Sequence, residues 1–201
     1  MKRCLLLCLV LSGCLPHAPR APDGYGPDRA GFGVAHRPAD VFFSRLQTLC
    51  GQIFAGQMVT SDPLDADMYG QTLVMHVRDC SRDEVRIPFQ VGQDRSRTWV
   101  ITRTVSGLRL KHVHRHTDGQ EDVLSGYGGE ALANTTPTRQ EFPADAFSKE
   151  LFRENDRSAS MSNVWAVEVG ERIFAYELRR PQRFFRVEFD LDHPLTALPV
   201  P

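Results

Sequence analysis

The segment EVRIPFQV (84–91) alternates polar and apolar residues, and its apolar side chains stand at every second position: Val85, Ile87, Phe89 and Val91. Strict alternation of this kind is typical of a β-strand with one face in the core and the other in water. The same period returns near the end of the chain in RFFRVEFDL (183–191). These two segments predict that the chain folds around a β-sheet with one apolar face.

Weaker alternation between turn residues indicates further strands in GQIFAGQMVT, GQTLVMHV, RTWVITRTV, GLRLKHVHRH, SNVWAVEV and RIFAYELRR. Helical spacing marks only two segments, ADVFFSRLQTLC (39–50) and PADAFSKELFREN (143–155). A flat sheet of so many strands exposes two edges, and closure removes both. The sequence therefore predicts a mainly β fold, an antiparallel up-and-down β-barrel of about ten strands with one N-terminal helix and one inserted helix. A β-sandwich is the alternative.

A helix followed by a meander of strands resembles the layout of the calycins, the group of the lipocalins and fatty-acid-binding proteins. The segment GQIFAG (51–56) stands where lipocalins keep a Gly-x-Trp, with Phe54 in the place of the tryptophan. This resemblance implies a barrel that binds a small ligand. The segments DRSRTW, HRH-DG and YGG also resemble segments of bacterial envelope proteins, a likeness that implies no activity.

The chain opens with MKRCLLLCLVLSGC (1–14), in which two basic residues precede an apolar run far shorter than the roughly 20 residues that span a bilayer. This is the pattern of a targeting segment. Its last four residues, LSGC, resemble the lipobox of bacterial lipoproteins. The resemblance implies cleavage before Cys14 and attachment there of acyl chains such as palmitate, which hold a protein on a membrane without a transmembrane helix. Because Leu15 and not Asp follows, it also implies the outer membrane, with the protein facing the periplasm.

Composition divides the chain into four parts: a signal peptide at 1–13, a lipidated Pro/Gly-rich tether at 14–38, a single β-barrel domain at 39–193 and a C-terminal tail at 194–201. Loss of the signal peptide lowers the number of basic residues from 24 to 22, against 25 acidic ones. The mature chain therefore has no excess of positive charge, and nucleic acid is not an expected partner.

Two cysteines remain beyond the anchor, Cys50 and Cys80. An oxidising compartment favours a disulfide. Antiparallel pairing of 51–60 with 70–79 places the two residues opposite each other, and closing a loop of about 30 residues stabilises a protein by roughly 3–4 kcal/mol. The alternative is two separate buried thiols.

Histidines occupy alternate positions in LKHVHRHTDGQEDVLSGYGG (110–129), which reverses at Asp-Gly. Alternation with Leu110 assigns them to the inner face, and the reversal pairs His116 with Glu121 and His112 with Ser125. An interior with polar groups above an apolar floor suits a small or amphipathic ligand. The candidate ligand-binding residues are His112, His114, His116, Ser125 and Tyr127. Unpaired histidines titrate near neutrality, so such binding should depend on pH.

Two other interpretations of these histidines remain open. His114, His116 and Glu121, with Gly128 after them, resemble the first cupin motif, which implies a metal-dependent enzyme with a divalent transition metal. Alternatively, the histidines form a structural polar layer in the filled barrel of an envelope structural or interaction protein. The chain has no Gly-x-Ser-x-Gly, phosphate loop or Cys-x-x-Cys, so no catalytic residue is predicted. We predict a membrane-anchored lipoprotein that binds its ligand and does not transform it.

Overall fold

The computed structural model describes residues 37–199, which contain ten β-strands, two α-helices and two short 3₁₀ helices. The strands are β1 Ile53–Met58, β2 Leu73–His76, β3 Glu84–Val91, β4 Asp94–Thr104, β5 Gly107–His114, β6 Tyr127–Glu130, β7 Arg139–Pro143, β8 Val164–Val169, β9 Ile173–Arg180 and β10 Arg183–Asp190. The helices are α1 Pro38–Thr48 and α2 Ala146–Glu154, and the 3₁₀ helices are Pro63–Met68 and Ser158–Ser162. The predicted fold class and both predicted helices are confirmed.

The ten strands form one antiparallel sheet that curls into a nearly closed barrel. Its order is β6-β5-β4-β3-β2-β1-β10-β9-β8-β7, so the first and last strands of the chain pair with each other. The opening lies between β6 and β7. Two backbone hydrogen bonds cross it, from Leu132 N–H to Glu141 O and from Asp145 N–H to Gly128 O, each at 2.9 Å. The sheet is therefore a barrel and not a sandwich.

Glycines in the YGG segment let β6 lie close to its neighbours. A Cβ atom on Gly129 would stand 1.9 Å from the carbonyl oxygen of Pro143. Gly128 has a φ of 152°, and a Cβ there would stand 1.9 Å from the carbonyl oxygen of Leu110. Its N–H donates to Ser148 Oγ in α2 at 2.7 Å. The inserted helix is thus held against the opening of the barrel.

Aromatic rings fill the centre of the barrel. The ring of Trp99 stacks on those of Tyr176 and Phe89, with centroids 4.3 and 4.7 Å apart. Phe174 stacks behind it at 6.2 Å, and Phe189 approaches edge-on at 6.3 Å. Stacked and edge-to-face contacts of this kind stabilise beyond simple burial. The middle of the barrel is therefore packed and not hollow.

Helix α1 closes one end of the barrel. The Arg37 guanidinium at its start donates to the carbonyl oxygen of Val105, in the β4–β5 turn, at 3.3 Å. The Arg103 guanidinium lies 4.5 Å from the centroid of an α1 phenylalanine ring, that of Phe43. The apolar face of α1 is completely buried at Phe42, Phe43 and Leu46.

A disulfide joins Cys50, just after α1, to Cys80 in the β2–β3 connection, with Cα atoms 6.4 Å apart. This confirms the predicted bond. The register that would place Cys50 opposite Cys80 pairs Phe54 with His76, whereas the ladder between β1 and β2 pairs Phe54 with Met75, one residue away. Because Cys50 lies in the turn before β1, the disulfide does not depend on the register of that ladder.

Candidate ligand-binding site at the barrel mouth

The end of the barrel opposite α1, which we call the mouth, carries the connections β1–β2, β3–β4, β5–β6, β7–β8 and β9–β10. A cavity of about 120 Å³ lies beneath these connections. Three predicted residues line it, His112, His114 and Tyr127. The other lining residues are Asp65, Met68, Phe89, Arg97, Thr98, Trp99, Tyr176, Leu178, Arg183 and Phe185.

His112 is fixed by two hydrogen bonds near the mouth end of β5, where it is 3 % exposed. Its Nδ1 lies 3.2 Å from the carbonyl oxygen of Tyr127, and its Nε2 lies 2.7 Å from the hydroxyl of Tyr176. A carbonyl only accepts, so Nδ1 carries the hydrogen and the Tyr176 hydroxyl donates to Nε2. The ring also stacks on that of Tyr127 at 4.6 Å. The structure therefore sets both the tautomer and the orientation of His112.

His114 faces the same cavity but lies closer to its opening. Its Nε2 is 3.0 Å from the hydroxyl of Tyr127. The backbone N–H of His114 donates to Ser125 Oγ at 3.1 Å. The hydroxyl of Ser125 thus accepts a hydrogen bond from the backbone and does not line the cavity, although the sequence analysis predicts it as a ligand-binding residue.

His116 and Glu121 lie outside the cavity, on an exposed loop. The predicted pairing of these two residues is wrong, because Arg115 forms the bridge with Glu121 and an ion pair with it at 2.5 Å. His116 Nε2 lies instead 3.4 Å from Asp122. Strand β5 ends at His114, and turns fill residues 115–126, so regular alternation does not continue to residue 116. His116 therefore does not belong to the site.

The structure does not bring together the metal ligands that the sequence suggests, His114, His116 and Glu121. The side chain of His114 contacts Tyr127, while the carboxylate of Glu121 pairs with Arg115. Among residues 37–199, no three His, Cys, Asp or Glu side chains are grouped closely enough to hold a metal ion. Resemblance to the cupin motif thus does not correspond to a grouped ligand set in this fold.

An ion pair between Asp65 and Arg183 lies at the edge of the cavity, and sequence reasoning misses it. Asp65 belongs to the 3₁₀ helix between β1 and β2 and is 1 % exposed, while Arg183 opens β10. Oδ1 of the carboxylate accepts from the guanidinium. The second oxygen, Oδ2, and the Nε of Arg183 are both buried and have no hydrogen-bonding partner among residues 37–199. The two residues are 118 positions apart, so no local sequence pattern predicts their contact.

Burial keeps the site's ring nitrogens and hydroxyls uncharged. Desolvation lowers the pKa of His112 to about 3 and also lowers the pKa of His114. It raises the pKa of Tyr127 to about 12, and the pKa of Tyr176 also rises. The expectation that these histidines titrate near neutrality is therefore wrong for His112, because it is buried and already hydrogen-bonded.

The cavity adjoins a wider cleft of about 550 Å³ at the mouth, and the two share His114, Tyr127, Tyr176, Leu178 and Arg183. Apolar side chains line part of the cleft, and three arginines and one aspartate line another part. The apolar residues are Leu64, Leu124, Phe152, Trp165 and Leu178; the charged ones are Arg157, Arg180, Arg183 and Asp122. A small interior space thus opens into a larger amphipathic surface.

Comparisons with family models, with curated proteins and with solved structures found no significant match. The predicted signal peptide, the anchor at Cys14 and most of the tether lie outside the described residues. None of the helices within residues 37–199 is long and apolar enough to cross a membrane. Function is therefore inferred from the geometry of the mouth and from the N-terminal motif.

Proposed function

We propose that this protein is a lipid-anchored envelope protein that binds a small or amphipathic ligand at the mouth of its barrel. One observation carries the proposal: His112, His114 and Tyr127, which sequence reasoning selects as ligand-binding residues, line a cavity that opens into an amphipathic cleft. Fixed polar groups within apolar walls are typical of small-molecule sites.

The sizes of the two spaces decide how a ligand would lie. The inner cavity measures about 120 Å³, which is smaller than the roughly 300–1,000 Å³ of ordinary ligand pockets. The cleft, at about 550 Å³, falls within that range. The ligand therefore lies mainly in the cleft and reaches the inner cavity, beside the Tyr127 and Tyr176 hydroxyls, with one small end.

Blocking the shared wall of the two spaces tests this proposal. Leu178 lines both, so Leu178→Trp should abolish the binding of small amphipathic molecules to the purified full-length protein, measured by native mass spectrometry. The matched control is Val105→Trp, at a completely exposed position on the α1 end, which should leave binding unchanged. Equal binding by the wild type and Leu178→Trp would contradict the proposed site.

Acylation of Cys14 is the part of the proposal that the N-terminal motif supports. We expect labelled palmitate to be incorporated into the wild-type protein in bacterial cells and the protein to sediment with the outer membrane. Cys14→Ser should incorporate none and should be released from the membrane. A Cys14→Ser protein that stays in the membrane fraction would show that another segment attaches it.

A structural or interaction protein with a filled barrel is the second candidate. The stack of Phe89, Trp99 and Tyr176 in the centre of the barrel favours it, because that stack leaves no large interior volume. The same mass measurement separates the two candidates. A protein that neither retains nor takes up any small molecule, and that is indifferent to Leu178→Trp, belongs to the second class.

A further inference from the structure

We infer that the ligand of the mouth carries an anionic head group, such as the carboxylate of an alkanoic acid, and that Arg180 and Arg183 bind it. This inference rests on the proposed function and narrows it to one charge class. The mouth would then admit anionic amphiphiles and exclude neutral or cationic ones with the same apolar chain.

The two arginines stand directly opposite each other in the β9–β10 ladder, and both line the cleft. Like charges at directly opposed positions of a sheet are destabilising. Arg180 donates only to neutral oxygens, Ser160 Oγ at 3.1 Å and Asn163 Oδ1 at 3.4 Å, and forms no ion pair in the described part of the chain. Asp65 compensates the charge of Arg183, so the fold leaves the neighbouring charge of Arg180 without a carboxylate partner, where an anion could bind.

Arg183 still has an unused hydrogen-bond donor. Its guanidinium binds Asp65 on one side, but its Nε is buried and has no partner among the described residues. A buried unsatisfied donor is costly, and an accepting oxygen removes that cost. Guanidinium groups bind carboxylates through two parallel hydrogen bonds, so one anionic head group can engage this N–H together with Arg180.

The other charges of the cleft do not cancel those of the arginines. Arg157 adds a third guanidinium, and this one is exposed. Among residues 37–199, Asp122 is the only acidic residue that lines the cleft, and its carboxylate already accepts from the N–H of Leu124 at 2.7 Å and lies near His116. Asp65 neutralises Arg183, so Arg157 and Arg180 face the carboxylate of Asp122 and the cleft keeps one excess positive charge, which favours an anion by long-range attraction as well as by contact.

Apolar side chains beside the arginines form a surface that can hold the alkyl chain of the amphiphile. Leu124, Phe152 and Leu178 line the same cleft, and the indole of Trp165 lies among them. The chain has only two tryptophans, Trp99 and Trp165, and both line the proposed site. Tryptophan fluorescence is therefore a direct probe of an occupied cleft.

Three brominated probes with one chain length test the inference: ω-bromodecanoate, ω-bromodecanol and an ω-bromodecyl trimethylammonium salt. Bromine quenches tryptophan fluorescence on contact. We expect saturable quenching of the full-length protein by the carboxylate, and at least about tenfold weaker binding of the alcohol and the cation, since a charge-assisted hydrogen bond contributes about 1.5–3 kcal/mol.

Arginine variants locate the anion. Arg180→Gln should weaken bromodecanoate binding by about tenfold or more, and Arg157→Gln, an exposed change that spares folding, should weaken it severalfold. The control is Arg172→Gln, on an exposed arginine of the β8–β9 turn at the other end of the barrel, which should leave affinity unchanged.

Two results would overturn the inference, and they are distinguishable. Equal saturable quenching by all three probes, unaffected by Arg180→Gln, would show that the mouth binds amphiphiles but does not select an anionic head group. Absence of saturable quenching by every probe would remove both the inference and the proposed function.

Discussion

At the α1 end of the barrel Phe42, Phe43 and Leu46 are completely buried, whereas at the mouth the buried side chains include the polar groups of His112 and Asp65. The α1 end also carries the disulfide. Apolar packing and a covalent link stabilise that end without requiring exact polar partners. At the mouth, buried atoms of Asp65 and Arg183 have no hydrogen-bonding partner among the described residues. The difference indicates that stability is concentrated at the α1 end, away from the ligand site that we propose at the mouth.

The largest effect should come from the packing of α1. Phe43→Ala removes a completely buried ring and should lower the free energy of unfolding by about 3–5 kcal/mol, measured by urea denaturation. Phe184→Ala, at a partly exposed position of the mouth, is the matched control and should change it little. Similar losses in the two variants would contradict the division between the ends.

Removal of the disulfide should have the next largest effect. The double variant Cys50→Ser/Cys80→Ser should lose roughly 3–4 kcal/mol of unfolding free energy, since the unfolded chain is no longer constrained by a closed loop. Urea denaturation of the wild type with and without reductant gives the same comparison. The double variant should not respond to reductant, and a response would show that the reductant acts elsewhere.

His112 should make stability depend on pH. The unfolded histidine takes up a proton near pH 6.5, whereas the folded one stays neutral down to about pH 3, its pKa in the barrel. The unfolded state therefore binds more protons between these values, and His112 contributes a loss of about 1.4 kcal/mol per pH unit as the pH falls. His112→Gln should reduce the slope of unfolding free energy against pH by this amount between pH 6 and pH 4.

His116→Gln is the control for that measurement, because His116 is exposed on the loop. It should leave the slope as it is in the wild type. An unchanged slope in His112→Gln would mean that this residue is not the buried neutral histidine described here.

The smallest effect should follow loss of a single hydroxyl at the mouth. Tyr127→Phe removes the hydrogen bond to His114 Nε2 and should lower the free energy of unfolding by about 1 kcal/mol. Chemical denaturation at pH 7 measures it. A loss as large as that of Phe43→Ala would show that the mouth also carries much of the stability.

Much of the fold could be predicted from local patterns. The alternation in 84–91 and 183–191 identified strands, and helical spacing located α1 and α2, because each pattern follows from the geometry of its own element. The Cys50–Cys80 bond was also accessible, since only two cysteines lie beyond residue 14. Register was not accessible, because residues 115–126 form an irregular loop that sets the pairing of His112 with Tyr127, and alternation cannot reveal the conformation of a loop.

The candidate site could be predicted only in part. Alternation placed His112 and His114 on the inner face, and Tyr127 joins them as a lining residue. Alternation also placed His116 inside, which is wrong, because the strand ends before it. The pairing of the two arginines at the mouth depends on the β9–β10 register. The contact of Asp65 with Arg183 depends on how the β1–β2 connection, far away in the sequence, folds.

By itself the amino-acid sequence determined the mainly β architecture, the positions of the two helices and the identity of the disulfide partners. Each of these depends on periodicity or on residue type over short stretches of chain. Tertiary structure alone decided where the barrel opens, how full its centre is, and which polar atoms meet at the mouth. These features arise from contacts between segments far apart in the chain, and their free energies depend on shape and burial that exist only once the barrel has formed.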